Sequence, residues 1–277
     1  MSRRTRYLIA RPQAVRLSDG RKRRRNRFQP SRKVRLTLVV MIALSIGLIL
    51  LVTLKKPPAL PATTVKAISN EIYQWASKEQ QIVATGPLTT LIKQTGERLA
   101  MDFQHKNIEW KFFVVRNSET PVYALPDGTI FLRNDALLLV NRVDDLAAML
   151  SHQMAHVTHG HINERIANKF DAEILQTLTP ESGKWPKLLQ TLNMSDDKNN
   201  FSHKKERLAD ESALTLMHKT CFQTHRLAAF WKKIRETEDS QADFLNTVHP
   251  HSTGSISKLE QFIEDNHLQT HTNCARQ

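Results

Sequence analysis

The chain has 277 residues, of which 40% are hydrophobic and 24% charged, so it is long enough to bury a full core and is not a disordered chain. Its formal net charge of +13 comes from the first 35 residues, which hold 14 Lys or Arg and one acid, whereas the remainder holds 26 basic and 26 acidic residues. A neutral remainder, and a basic run at 21–27 without aromatic residues, argue against specific nucleic-acid binding.

An apolar run follows this basic tail. Residues 36–54 contain no charge and number 19, which is enough for a helix to cross a bilayer core of ~30 Å. Ten Lys or Arg lie in the 20 residues before the run and three in the 20 after it, so the positive-inside rule keeps the N-terminus cytoplasmic. We therefore predict one uncleaved transmembrane helix in a lipid bilayer. A cleaved signal peptide is the alternative, but no small-residue cleavage site precedes Lys55.

This orientation places the rest of the chain across the membrane. We favour a bacterial inner membrane with a periplasmic domain, and a mitochondrial inner membrane is the alternative, because an Arg-rich, acid-poor leader also suits mitochondrial import. Cys221 and Cys274 can form a disulfide in such a compartment, although two free thiols fit the sequence equally well. Two cysteines are too few for a thiolate zinc site.

A proline-rich linker at 55–64 separates the predicted anchor from a folded domain at 65–277. Apolar residues then recur at the 3.6-residue spacing of two amphipathic helices. These residues are Ile68, Ile72, Trp75 and Ala76 in the first helix, and Leu88, Leu91, Ile92 and Leu99 in the second.

Strand-forming residues and two longer helices follow in the predicted domain. The runs 110–115 and 129–132, with the turn Pro126-Asp127-Gly128 before the second, predict a small antiparallel sheet. A largely buried helix is predicted from Asp144 to about Gly160, and another from Lys204 to Lys219. The polar segment between them, 177–203, predicts a long excursion with one short helix near 188–192. The fold class is therefore α+β and mainly helical, with a transmembrane helix before it.

Two histidines on the first of these helices have the spacing of a metal site. His152 and His156 lie four residues apart, so their rings project from one face and can share one tetrahedral Zn²⁺ per chain. In the H-E-x-x-H helix of zinc peptidases, the glutamate after the first histidine is the general base. Gln153 stands in that position, and its amide can accept a hydrogen bond but cannot take a proton from water.

The next long helix supplies a candidate third ligand. Glu206 completes a His₂Glu set, which leaves a fourth position for water. Asp210, one turn further, is placed to accept the second ring N–H of a ligating histidine and so to fix its tautomer. The other histidines of this region, His159, His161 and His251, are interpreted as surface or packing residues.

Three blocks in order carry a resemblance to a known family. They are Ala124 to Phe131 (A-L-P-x-G turn and strand), Leu150 to Val157 (metal helix) and Ser202 to Asp210 (S-x-x-x-E-x-x-A-D segment). Together they resemble the membrane-associated gluzincin metallopeptidases, which include the CaaX-prenyl protease, the HtpX and BepA peptidases and the mitochondrial Oma-type peptidase. The resemblance implies a zinc metalloendopeptidase of protein quality control that acts on unfolded or membrane-proximal proteins.

The resemblance also implies roles for two further regions. Thr129, Ile130 and Phe131 would belong to an edge strand against which an extended substrate pairs. A weaker block, Phe244 to Pro250, resembles the family's threonine-His-Pro segment, although Val248 interrupts it. Its histidine, His249, would lie near the metal as an auxiliary catalytic residue.

The glutamine at position 153 leaves two hypotheses. Loss of a general base typically slows hydrolysis by ~10²- to 10⁴-fold, so the chain is either an impaired metalloendopeptidase or a pseudopeptidase that grips polypeptides as a zinc-bound adaptor. A third hypothesis, a basic membrane-surface protein that works through its tail, is disfavoured by the intact set of ligands.

Overall fold

The computed structural model describes residues 34, 37–39, 41–45, 60–102, 108–118, 121–169 and 201–269. The chain divides into two compact units, Met1–Lys56 and Pro57–Gln277. In the first unit the described residues are helical. Among the described residues, no helix combines the length and apolarity needed to cross a bilayer. The basic tail and most of the predicted anchor lie outside the described residues.

The second unit is mainly helical with one small sheet. Both predicted amphipathic helices are confirmed, and the first begins at Ala62, inside the predicted linker. The described elements follow in chain order as α1 (Ala62–Trp75), a π-helical turn (Ala76–Gln80), β1 (Ile82–Val83), α2 (Pro87–Ala100), β2 (Lys111–Val115), β3 (Val122–Ala124), β4 (Thr129–Arg133), a 3₁₀ helix (Asn134–Leu139), α3 (Val143–Thr158), α4 (His161–Lys169), α5 (His203–Lys219), α6 (His225–Glu236), α7 (Ser240–Val248) and α8 (Thr253–Asp265).

The sheet is mixed, so the prediction of an antiparallel sheet is wrong. Its strand order is β1-β2-β4-β3, and β2 pairs with β4 in parallel. The reason is β3, a strand that the sequence analysis did not predict. Because β3 reverses the chain before the turn at Pro126–Gly128 and the turn reverses it again, β4 runs in the direction of β2.

This topology also corrects the predicted substrate edge. Strand β4 lies between β2 and β3, and Ile130 and Phe131 pair with residues of both neighbours. The backbone groups of an interior strand are used within the sheet, so Thr129, Ile130 and Phe131 do not form an edge for a substrate. The outer strand on this side of the sheet is β3.

The two faces of the sheet pack differently. On one face an aromatic row runs from Tyr73 of α1 through Phe113 and Phe131 to Tyr123, with ring centroids 5.2, 5.5 and 4.9 Å apart. On the other face Phe112 packs so closely on α2 that a side chain at Gly96 would meet its ring at 2.5 Å. The sheet is therefore held between α1 and the helical core.

Helix α3 runs through this core as the sequence predicts. All of its side chains from Asp145 to Val157 are buried. The Asp145 carboxylate accepts from the backbone N–H of Asn141 at 3.0 Å and from Nε of Arg226 at 2.7 Å, which ties the start of α3 to α6. The helix ends before Gly160, whose φ of 69° is left-handed, so the predicted stop is confirmed.

Two other predictions concern the region around α5. The predicted helix from Lys204 to Lys219 is confirmed as α5. The short helix predicted near 188–192 lies outside the described residues. Cys221 is disulfide-bonded. Cys274, the other cysteine of the sequence, lies outside the described residues.

The turn before β4 generates a stability prediction. Gly128 has a φ of 99°, and an added Cβ would lie 2.4 Å from Cγ2 of Ile108. We expect Gly128→Ala to lower the free energy of unfolding by about 2–4 kcal/mol, because backbone strain adds to steric overlap. Urea unfolding followed by circular dichroism measures this loss.

Gly160→Ala is the matched control. Its φ of 69° is also left-handed, but an added Cβ meets nothing within 4 Å. This variant should lose only about 1 kcal/mol from backbone strain. Equal losses in the two variants would show that the contact with Ile108 does not constrain the turn.

Candidate metal centre

Helix α3 carries three of the predicted site residues into the core. His152 and His156 are fully buried and Gln153 is 2% exposed, and the two Nε2 atoms of the histidines lie 3.0 Å apart. Helix α5 lies alongside and brings in Glu206, which is also 2% exposed. Its carboxylate oxygens are each 3.4 Å from one of the two Nε2 atoms. The predicted ligands are thus brought together.

A fourth side chain joins these three. His249, at the end of α7, is 1% exposed, and its Nδ1 lies 3.1 Å from Nε2 of His152 and 3.1 Å from Oε2 of Glu206. The sequence analysis placed His249 near the metal as an auxiliary residue. Its ring is instead within the distances of a ligand.

The four side chains fit a tetrahedral metal. His152, His156, Glu206 and His249 each offer one donor atom, and these atoms lie within 4.8 Å of one another. Ligands ~2.0–2.1 Å from a tetrahedral Zn²⁺ lie about 3.3–3.4 Å apart. The separations of 3.0 to 3.4 Å around His152 Nε2 are close to this value. Imidazole and carboxylate donors without sulfur are a set that zinc accepts.

The electrostatics of the cluster also favour a cation. Burial raises the pKa of Glu206, but the nearby His249 and His156 outweigh burial and hold that pKa well below its ordinary value. Burial lowers the pKa of His152, yet hydrogen bonds to Asp210 and Glu206 overcome this and raise it to about 9. The buried carboxylates thus favour the protonated, positively charged form of His152. A metal ion would take the place of that proton.

Asp210 holds the first histidine as predicted. It is 1% exposed, and its Oδ1 accepts from Nδ1–H of His152 at 2.8 Å and from Nε1–H of Trp231 at 3.0 Å. Its other oxygen lies 2.8 Å from Nε2 of His251. Burial raises the pKa of Asp210, but His251 and His152 outweigh this effect and lower it to about 2. Asp210 therefore stays ionised and fixes the ring of His152.

The interpretation of His251 as a surface or packing histidine missed this role. His251 is 5% exposed, and its ring stacks on Trp231 with centroids 4.1 Å apart. His251 and Trp231 lie on different elements from Asp210, and no spacing pattern in the sequence connects either residue to that carboxylate. Only the fold reveals that they complete the hydrogen bonding of the carboxylate.

The second histidine has different neighbours. Nδ1 of His161, on α4, lies 3.0 Å from Nδ1 of His156, and the ring of Phe201 stacks on His156 with centroids 4.1 Å apart. His161 is 4% exposed, so of the two alternatives predicted for it, surface or packing, it is not a surface residue. Burial, helped by the charges of His159 and Lys205, lowers the pKa of His161 to about 4, so its ring is neutral at pH 7.

Gln153 faces the same cluster from α3. Its Nε2 lies 3.1 Å from Nε2 of His249, so the amide donates to the ring of that histidine. Burial lowers the pKa of His249, which leaves a neutral ring that can accept this bond. The residue in the place of a general base is therefore engaged with a fourth donor of the cluster.

Comparison with known proteins yields one family and several relatives. Residues 88–263, which include all three sequence blocks, match the model described as Peptidase family M48. The chain is 25% identical over 216 residues to the mitochondrial metalloendopeptidase OMA1 of Schizosaccharomyces pombe. This alignment covers 75% of this chain and 63% of the relative. It is also 25% identical over 222 residues to the metalloendopeptidase OMA1 of Danio rerio. That alignment covers 71% of this chain and 45% of the relative.

A bacterial relative is also similar to this chain. It is the beta-barrel assembly-enhancing protease of Escherichia coli, 19% identical over 158 residues, with 53% of this chain and 32% of the relative covered. The chain therefore spans between 32% and 63% of the lengths of these three relatives.

The hydrogen bond from His152 generates a prediction about metal affinity. Asp210→Ala leaves Nδ1–H of His152 without its acceptor, and we expect zinc affinity to fall by ~10- to 100-fold. Competition with a chromogenic chelator measures the affinity of the full chain. Glu211→Ala, which removes a neighbouring carboxylate paired with Arg207 on the same helix, is the matched control. Equal affinities in the two variants would contradict the role of Asp210.

Proposed function

The chain belongs to peptidase family M48, and on that premise we propose that it is a zinc metalloendopeptidase-like protein whose peptide hydrolysis is impaired by Gln153. Membership also confirms the resemblance to gluzincin metallopeptidases that the sequence carries. The observation behind the proposal is the place of Gln153, which lies buried among the metal-ligand candidates where the sequence pattern requires a base.

We assign the metal to His152, His156 and Glu206. When bound, zinc supplies a polarised water and stabilises negative charge on a carbonyl oxygen. The protein must then remove a proton from the water and deliver it to the leaving amine. Nothing in the amide of Gln153 can carry that proton, because a carboxamide neither accepts nor releases one at neutral pH.

His249 contributes a second obstacle to hydrolysis. A catalytic zinc site keeps one position open for water, whereas a structural site is closed by four protein ligands. We assign the fourth position to Nδ1 of His249. In that state its proton would lie on Nε2, and the Gln153 amide, whose Nε2 is 3.1 Å from that atom, would present its oxygen to accept the N–H. The glutamine thus supports the closed arrangement.

We further propose that the domain is anchored by the apolar run 36–54 and works in protein quality control on unfolded or membrane-proximal proteins. Support comes from the charge asymmetry around that run. The names of the relatives, mitochondrial metalloendopeptidase and beta-barrel assembly-enhancing protease, also support it. One relative is mitochondrial and the other bacterial, so both locations that the sequence suggested remain part of this proposal, a bacterial inner membrane with a periplasmic domain and a mitochondrial inner membrane.

Restoring the base tests the proposed impairment. We expect the unmodified full chain, loaded with zinc in mild detergent, to leave unfolded casein intact. Gln153→Glu restores a carboxylate that can take the proton and should raise cleavage by up to ~10²- to 10⁴-fold, the full gain requiring that His249 leave the fourth position to water. Gel analysis of casein over time measures the rate, and metal analysis of each variant confirms equal zinc content.

Two further variants make the comparison decisive. Gln153→Ala has no base and should remain inactive. In Gln153→Glu with His249→Ala, the fourth position is also free, so activity confined to this double variant assigns the block to His249 as well. Robust cleavage by the unmodified chain would refute the impairment, as would equal inactivity of both glutamate variants.

A second candidate function is a zinc-bound adaptor that grips polypeptides without cutting them. The closed set of four donors favours it, and a cavity of about 900 Å³ between α1, β2 and the turn at 126–127 offers room for a polypeptide segment. The rings of Tyr73 and Phe113 line this cavity. Within the described part of the chain, Oγ of Ser69 and Oδ1 of Asn163, which also line it, have no hydrogen-bond partner.

Filling the cavity tests the adaptor. Asn70 is exposed at its rim, so Asn70→Trp should weaken binding of a labelled unfolded casein peptide by at least ~10-fold, since the indole occupies its place. Fluorescence anisotropy measures binding by the full chain. Thr63→Trp, at an exposed position of α1 outside the cavity, is the matched control. Unchanged binding by Asn70→Trp would exclude the cavity as the adaptor surface.

A further inference from the structure

The two histidines of α3 are held by different kinds of acceptor. Nδ1 of His152 faces a carboxylate, that of Asp210, at 2.8 Å. Nδ1 of His156 instead faces an imidazole nitrogen, Nδ1 of His161, at 3.0 Å. A ligating histidine usually donates its second ring N–H to a carboxylate, a backbone carbonyl or water, so an imidazole acceptor is an uncommon arrangement.

The position of the protons follows from the geometry. Nε2 of His156 points into the cluster, 3.0 Å from Nε2 of His152 and 3.4 Å from Oε1 of Glu206. A neutral imidazole carries one proton, so a ligating Nε2 leaves the proton on Nδ1. His156 is then the donor to His161, whose own proton must lie on Nε2.

We propose that His161 is a positioning residue that accepts this hydrogen bond and so fixes the tautomer and the orientation of His156. The proposal rests on the zinc site proposed above. The ring of Phe201 stacks on His156 at an interplanar angle of 22°, which limits tilting of the ring. Stacking leaves rotation within the ring plane free, and a hydrogen bond at Nδ1 restrains it.

The break between α3 and α4 brings His161 to this place. Gly160 adopts a left-handed φ of 69°, and its N–H donates to the carbonyl of Val157 at 2.9 Å. The chain therefore leaves the axis of α3 and starts α4 at His161. His161 follows His156 by five residues, a spacing that would not align two side chains on one continuous helix.

Substitutions that keep or remove the acceptor test the proposal. In the full chain, His161→Leu removes it, and we expect zinc affinity to fall by ~10- to 100-fold. His161→Asn places a side-chain oxygen where Nδ1 stood and should retain most of the affinity. Chelator competition with Zn²⁺ measures affinity, and the visible absorption of the Co²⁺-loaded chain reports the ligand geometry.

The control is the neighbouring histidine. His159 stacks on His161, and its own hydrogen bond is to Ser212 at 2.7 Å. His159→Asn should change neither the zinc affinity nor the Co²⁺ spectrum. If this region had only a structural role, His161→Leu and His159→Asn would change the zinc affinity and the Co²⁺ spectrum alike.

The outcomes separate the possible errors. If His161→Leu binds zinc as tightly as the unmodified chain with the same Co²⁺ spectrum, His161 does not position His156. If the leucine variant does not fold, His161→Gln replaces it, because its oxygen falls where Nε2 stood; equal affinities for the Asn and Gln variants would then refute the proposal. An unmodified chain that binds neither metal would refute the zinc site and this inference together.

Discussion

Two carboxylates buried side by side on one helix are the constraint on which the rest of the site depends. Glu206 and Asp210 are 2% and 1% exposed, and both have pKa values held below their ordinary range. Burying ionised groups is costly unless opposite charge and hydrogen-bond donors surround them. The histidines of α3 meet this requirement from one side and Trp231 from another. A divalent cation at the centre would balance the remaining negative charge, which is why the geometry favours a metal.

The same arrangement is the basis for the proposal that one side chain, Gln153, alters the chemistry and leaves the fold intact. Gln153 makes a hydrogen bond to His249, so the amide is accommodated in a site built for a carboxylate. The candidate ligands His152 and His156 come from the same helix and do not depend on the residue between them for their positions. In the proposed function, metal binding and hydrolysis are therefore separable, and Gln153 affects only hydrolysis.

Much of the fold and the site could be predicted from sequence, for identifiable reasons. Helical spacing predicted that His152 and His156 project from one face of α3. The same spacing predicted that Glu206 and Asp210 lie one turn apart. The sheet was predicted less well, because the three residues of β3 are too few to produce a periodic signal. The family resemblance implied that β4 is an edge strand, whereas β3 makes it an interior strand. His161 and His251 were missed because their roles depend on a left-handed glycine and on contacts between distant helices.

Zinc-edge X-ray absorption of the purified full chain is the most direct test of the central claim, that four side chains close one metal site. The account predicts one zinc per chain with four nitrogen or oxygen ligands at ~2.0–2.1 Å. Multiple scattering from three imidazole rings should be present, and His249→Ala should reduce it to two. A spectrum that shows two imidazoles in the unmodified chain, or a sulfur ligand, would contradict the closed site.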